Sequence, residues 1–459
     1  MGVGVSDWRL ARAVSQKGQL GVVSGTALDT VLVRRLQDGD PGGYILRALA
    51  AFPIPRVASW IQDRYYRRGG RLEGEPYELL PMDRAKPSAL KQRVTAVANF
   101  VEVFLAKEGH EGLVGVNYLA KVQLPTLASL YGAMLADVDY VLMGAGIPRE
   151  IPGVLDRLAD KLPVSIRLDV LGLSDPDRDV LRFDPETVGL GVTATLNRPK
   201  FLPIVASNSL VTMLIRKANG RIDGFVIEGA TAGGHNAPPR GKMKLDEGGE
   251  PIYGPRDAVN LAAVAEEGLP FWVAGGTGSP ERLAEVKAAG AAGIQVGTLF
   301  AYCDESGFSA DIKQDILRRS VNGPLQVKTD HRASPTGFPF KAVEVPGTAS
   351  EQDVYEARKR ICDLGYLRTL ARGDDGKLRF RCPSEPVGNY VNAGGEEEET
   401  VGRKCLCNSL LANIGMAQTR DGALEPRFLT SGDELATISE FLQGRDRYSA
   451  ADVIDYLLS

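Results

Sequence analysis

The chain has 459 residues, 44% hydrophobic and 24% charged, with a net charge of −4. That composition builds a large globular core and excludes a disordered or collagen-like chain, and without a basic block there is no electrostatic footprint for nucleic acid. No apolar run reaches the roughly 18 residues of a membrane span, the charged N-terminus lacks an apolar signal core, and an odd count of five cysteines points to reduced thiols in the cytoplasm, not to a disulfide framework.

In chain order, a β-rich run, a Gly-rich loop and an amphipathic helix recur. LGVVSG (20–25) precedes TALDTVLVRRLQDG, whose apolar positions have helical spacing. GLVGVNYL (112–119), VDYVLMGAG (138–146), FLPIVAS (201–207), IDGFVIEG (222–229), LPFWVAGG (269–276) and AGIQVGT (292–298) follow, each leading toward a helical stretch. Ser279 is an expected N-cap with Pro280 at the first helical position. Seven strand-helix units with Val/Ile/Leu-rich strands fit a parallel sheet buried on both faces. The reading is an α/β fold of the eightfold TIM-barrel kind, its first strand truncated or nearly so before GVGVS.

Three stretches depart from the repeat. Residues 64–90 read as an inserted excursion followed by a helix at about 90–108, and residues 163–199 as an extra β excursion. From about 320 onward the pattern is lost, with helical stretches expected at 351–362 and 432–443. The expected organisation is a barrel domain, 1–320, with an α-rich C-terminal extension, 321–459, packed on it.

Chemistry is expected at the ends of the strands. VAGGTGSPERL places two glycines between a strand and a helix N-terminus, where bare amides and the helix dipole favour an anion. QVGTLF repeats the arrangement one strand later, and in eightfold barrels the last two strands often hold a phosphate. His235, one of three histidines, follows Gly233 and Gly234 at the mouth of IDGFVIEG. An imidazole there suits a general base acting on a carbon acid.

The set GVGVS, GVNYL, LMGAGIP, IEGATAGGH and VAGGTGSPERLAEVKAAGAAGIQVGT, spanning roughly residues 1–310, resembles the nitronate monooxygenase family. That family comprises FMN-dependent barrels related to flavin enoyl-acyl-carrier-protein reductases. The resemblance implies FMN as cofactor and His235 as catalytic base. It places Gly275, Gly276, Gly297 and Thr298 at the FMN phosphate and Asn117 near the flavin. Glu228 falls where many members carry Gln, and Gly233 and Gly234 would lie along the cofactor. The implied activity is oxidation of alkyl nitronates or nitroalkanes with O2. The alternatives are an FMN- and NAD(P)H-dependent enoyl-thioester reductase and a non-catalytic flavin- or metal-binding protein. Partners would be the small-molecule substrate and O2, with no nucleic acid or membrane and with homo-oligomerisation open.

Cys362, Cys382, Cys405 and Cys407 lie in the C-terminal part. Four thiolates can hold zinc or an iron–sulfur cluster, but the spacing matches no familiar zinc-ribbon or ferredoxin run. They read as reduced, partly buried thiols, and no metal site is assigned. His110 is expected to close a helix end, His331 to lie in a polar surface loop, and Arg240 and Lys242 to be solvated.

Overall fold

The computed structural model describes residues 2–172, 179–373 and 375–459; residues 173–178 of the expected 163–199 excursion, and Met1 ahead of GVGVS, lie outside them. Seven parallel strands form one curled sheet in sequence order: β1 (Gly21–Ser24), β2 (Val114–Leu119), β3 (Tyr140–Gly144), β4 (Lys200–Val205), β5 (Phe225–Glu228), β6 (Phe271–Ala274) and β7 (Gly293–Gln295). The register is continuous: Val23 is opposite Val116, Val116 opposite Val141, and Val141 opposite Phe201.

Side chains alternate across this sheet with period two. Leu142, Leu202, Val226 and Ala274 point to the concave side, with Val22, Ile204 and Trp272 beside them. Val141, Phe201, Phe225 and Phe271 point outward into the main core. There they meet helices such as α1 (Trp8–Gln16), α2 (Leu28–Gln37), α3 (Ala89–Lys107) and α4 (Thr126–Leu135). α5 (Pro280–Ala288) begins as its residues demand, with Ser279 accepting from the Arg282 amide and Pro280 at the start.

The closed eightfold barrel is not found. Among the described residues β1 and β7 are the sheet's two edges, so the wall is a half-barrel of seven strands. The chain ahead of β1 makes a turn in place of a strand: the Val5 amide donates to the Gly2 carbonyl at 3.4 Å, and the Gly307 amide takes the Val5 carbonyl at 2.8 Å. One link alone resembles a ladder, from the Ser24 amide to the Ser6 carbonyl at 2.8 Å. The Gly2 carbonyl is taken up by this turn and the Val5 carbonyl by Gly307, so neither is offered to a ladder between the two edges.

The C-terminal part mixes short hairpins with its helices. β8 (Val327–Asp330) and β9 (Phe340–Val343) pair antiparallel and hold out the loop 331–339. Thr369–Arg372 pairs with Leu378–Arg381 and, in parallel, with Val170–Leu171 of the excursion. The helix expected over 351–362 runs only Gln352–Ala357. α6 (Leu406–Ala412) and α7 (Ala450–Leu457) complete the extension. A buried polar cluster pins it to the sheet domain: Lys91 meets Asp29 at 2.7 Å, and Asp29 also accepts from the Tyr366 hydroxyl at 2.5 Å. Among the described residues no helix is long and apolar enough to cross a membrane.

Candidate functional site

A cavity of about 530 Å3 opens at the C-terminal ends of the strands, within the usual range for cofactor and small-molecule sites. All nine residues picked out by sequence line it: Asn117, Glu228, Gly233, Gly234, His235, Gly275, Gly276, Gly297 and Thr298. They come from β2, from the end of β5 and its loop, and from the loops after β6 and β7. The floor is apolar, formed by Leu142, Ile204, Val226 and Trp272. The cavity continues through the gap between β1 and β7 to Leu10, Val14, Ile454 and Leu457.

The loop carrying His235 is stitched to the C-terminal extension. The Lys341 amide of β9 donates to the Gly234 carbonyl at 2.9 Å, and the Asn236 amide donates to the Pro339 carbonyl at 2.9 Å. The Gly234 amide donates to Thr430 Oγ1 at 2.9 Å. At Gly233 a Cβ would stand 2.8 Å from the Gly432 amide nitrogen, so this glycine is required by the chain's own close approach.

His235 Nε2 shares a 2.7 Å hydrogen bond with Ser334 Oγ. Ser334 Oγ shares a 2.8 Å bond with Thr336 Oγ1, which accepts from Lys121 Nζ at 3.1 Å. The imidazole is thereby connected through two hydroxyls to an ammonium, while its edge packs on Phe340 at 4.9 Å between centroids. Burial holds the imidazole well below its usual pKa, and the Lys121 charge adds to this. Burial lowers Lys121 to about 7 against the opposing pull of Glu228, and the ammonium also sits 3.5 Å from the Phe338 ring centroid. Glu228 is pushed up to about 7, again chiefly by burial, with Lys121 working against it.

The two glycine loops fit a phosphate in part. Gly275 and Gly276 have left-handed φ of 90° and 66°, and a Cβ at Gly297 would meet open space. Thr277 Oγ1 donates to the Gln295 carbonyl at 3.2 Å, tying the two loops together. The C-terminal extension, however, intrudes. The Gly432 amide donates to Thr298 Oγ1 at 3.1 Å, and the Glu434 carboxylate accepts from the Gly278 amide at 2.5 Å. An anion from the protein already sits where this loop offers its amides. Burial pushes the Glu434 carboxyl above its usual pKa, so neutralising it is easier than for an exposed glutamate. The apolar floor, bare loops and cavity size fit FMN, and the Glu434 carboxylate is set against its phosphate.

Residues 187–334 match the nitronate monooxygenase family. The matched stretch runs from ahead of β4 to Ser334 and includes every candidate site residue except Asn117. Over 236 residues, the chain is 27% identical to a nitronate monooxygenase of Pseudomonas aeruginosa, covering 49% of this chain and 58% of that one. The chain therefore spans less than two thirds of that relative's length. Among solved structures, FabK from Thermotoga maritima aligns over 99% of this chain and 88% of its own, at 17% identity and a TM-score of 0.44. A nitroalkane oxidase from Streptomyces ansochromogenes aligns over 100% and 92%, at 16% identity and a TM-score of 0.46.

Sequence reading missed Lys121, Ser334, Thr336, Thr430 and Glu434. Lys121 had a signal, since it stands two residues beyond the end of a strand whose neighbours were already assigned. The loop containing His331 does reach the site, but through Ser334 and Thr336. His110 closes the end of α3 as expected, with Nε2 2.7 Å from the Ala106 carbonyl, and Arg240 and Lys242 are exposed.

Proposed function

We propose that the protein is an FMN-dependent oxidoreductase that oxidises alkyl nitronates or nitroalkanes with O2. The observation that carries this reading is the joined set His235, Ser334, Thr336 and Lys121 on the wall of a cavity with an apolar floor. A half-buried imidazole kept neutral is ready to take the proton α to a nitro group. Above about pH 7, where Lys121 is a neutral amine, the proton has a path along the two hydroxyls to its nitrogen. Below about pH 7 the same side chain is an ammonium and attracts the nitronate anion. FMN, when bound, supplies the redox capacity for this oxidation. Gly275, Gly276, Gly297 and Thr298 would hold its phosphate, and Asn117, Glu228, Gly233 and Gly234 would border its ring. The apolar floor keeps water from the reacting carbon.

A second reading is favoured by the apolar continuation of the cavity to Ile454 and Leu457. An enoyl-thioester reductase needs room for an acyl chain, and this channel offers it. The deciding assay follows oxygen uptake with a preformed alkyl nitronate and no nicotinamide. Turnover under those conditions supports the oxidase; turnover only with NAD(P)H and an enoyl thioester refutes it in favour of the reductase.

A further inference from the structure

A closed eightfold barrel fills its interior with layers of side chains. Here β1 and β7 stand apart as edges, and the interior is open instead. The large cavity runs the length of the sheet. At one end its lining holds His235, Gly275 and Thr298, beyond the C-terminal ends of the strands. At the other end it holds Gln19 and Leu20, which lead into β1, and Ala292, which leads into β7. Gln19, Lys287 and Leu458 of the lining are exposed, so the passage reaches the surface at this second end.

The walls between the two ends are largely hydrocarbon. Val22, Leu142, Leu202, Val226 and Trp272 face inward from the sheet. Leu10 and Val14 of α1, with Ile454 and Leu457 of α7, line the gap between the edges. Among the described residues, the charged side chains of the lining stand only at its ends: Glu228 and Glu434 on the side of His235, and Lys287 at the second opening. A nitronate of two or three carbons would end beside the imidazole and touch little of this surface. Apolar area along a passage open to water is a standing cost, and an apolar occupant removes it. β1 and β2 are four and six residues long, so at ~3.3 Å per residue the sheet is about 13–20 Å deep, the extended length of about ten to sixteen methylenes.

We infer that the open interior and the gap between β1 and β7 hold the hydrocarbon tail of the substrate, an extended alkyl chain of about ten carbons or more whose head group lies at His235. The head group is taken from the oxidase reading above, on which this inference rests; the tail is read from the channel alone. The substrate class is then a long-chain nitroalkane or its nitronate, and the C-terminal helix α7 becomes part of what selects it.

The test uses the full chain and saturated carboxylates, whose planar two-oxygen anion resembles that of a nitronate. Titration calorimetry with butanoate, octanoate and dodecanoate should show one site per chain and an affinity rising about three- to fourfold per methylene. Val14→Phe and Leu457→Trp push larger side chains into the passage, and each should cut the ratio of dodecanoate to butanoate affinity by about tenfold or more. A ratio that survives both substitutions overturns the inference. So does an affinity indifferent to chain length, which would leave the open edges of β1 and β7 to a polypeptide strand. If neither variant folds, the wild-type series decides by itself. Oxygen uptake with ethyl and decyl nitronate, measured alongside, separates failure of this inference from failure of the oxidase reading. Chain-dependent binding without uptake of either nitronate refutes the oxidase and supports the channel. Uptake with ethyl nitronate and binding indifferent to chain length refutes the channel and leaves the oxidase standing.

Discussion

Glu228→Gln tests the electrostatics of the large cavity in the absence of any substrate. The carboxyl ends β5 among apolar walls, and burial raises its pKa from the ordinary 4.5 to about 7. The unfolded chain releases that proton near pH 4.5, whereas the folded protein keeps it until about pH 7. Between those values the folded state binds more protons, so stability falls as pH rises through the window. The penalty is complete above pH 7, and at about 1.36 kcal/mol per pKa unit it comes to about 3 kcal/mol. Water in the open cavity screens the carboxylate, which trims the expected effect to about 2–3 kcal/mol. The amide carries no charge and escapes the penalty. Urea denaturation of the flavin-free wild type and variant should therefore show near-equal stability at pH 4.5 and a variant more stable by that amount at pH 8. A difference that does not change with pH, or a variant less stable at pH 8, would refute the assignment of a strained carboxylate to this position.

Ser334→Ala cuts the connection between His235 and Lys121 and leaves a buried imidazole nitrogen without its partner, worth about 1–3 kcal/mol. Turnover of neutral nitroalkane should drop roughly tenfold or more, while turnover of preformed nitronate, which needs no deprotonation, should change little; equal losses would show that the hydroxyl acts only on binding. His235→Asn should show the same split more strongly. Glu434→Gln removes the carboxylate from the Gly278 amide, so FMN should dissociate more slowly in a fluorescence assay of flavin release, and unaltered release would exclude Glu434 as a competitor of the phosphate. Gly276→Leu forces a branched side chain into a φ of +66° with Cβ 3.2 Å from Thr231 Oγ1, and the protein should purify colourless; a yellow variant with full FMN content would remove that loop from the site.

Much of the sheet domain was legible in the chain because its signals are local. Val/Ile/Leu runs such as FVIE and YVLMG can bury both faces only as inner parallel strands, and glycines after FWVA mark the turn into a capped helix. His235, the glycine pairs and Asn117 stood out because each lies within a few residues of a strand end, and in a parallel sheet all such ends face the same way. A closed barrel was expected, and the described sheet is a seven-stranded half-barrel: the residues before β1 have a strand-like composition, but the Gly2 carbonyl is engaged by a local turn, the Val5 carbonyl by Gly307, and the Ser6 carbonyl alone bonds to β1. The partners of the histidine were not legible at all. Ser334 and Thr430 are 99 and 196 positions from the groups they bind, and no local pattern announces such a meeting. The four cysteines, unreadable as a spacing, share a cavity only once a hairpin and α6 have been packed together. The raised and lowered pKa values are likewise tertiary, because desolvation depends on what is folded over a side chain and not on what precedes it. Strand and loop identity follow from short-range sterics and hydrophobic period, which the sequence carries by itself; proton affinity, hydroxyl relays and thiol convergence follow from long-range packing, which only the folded chain decides.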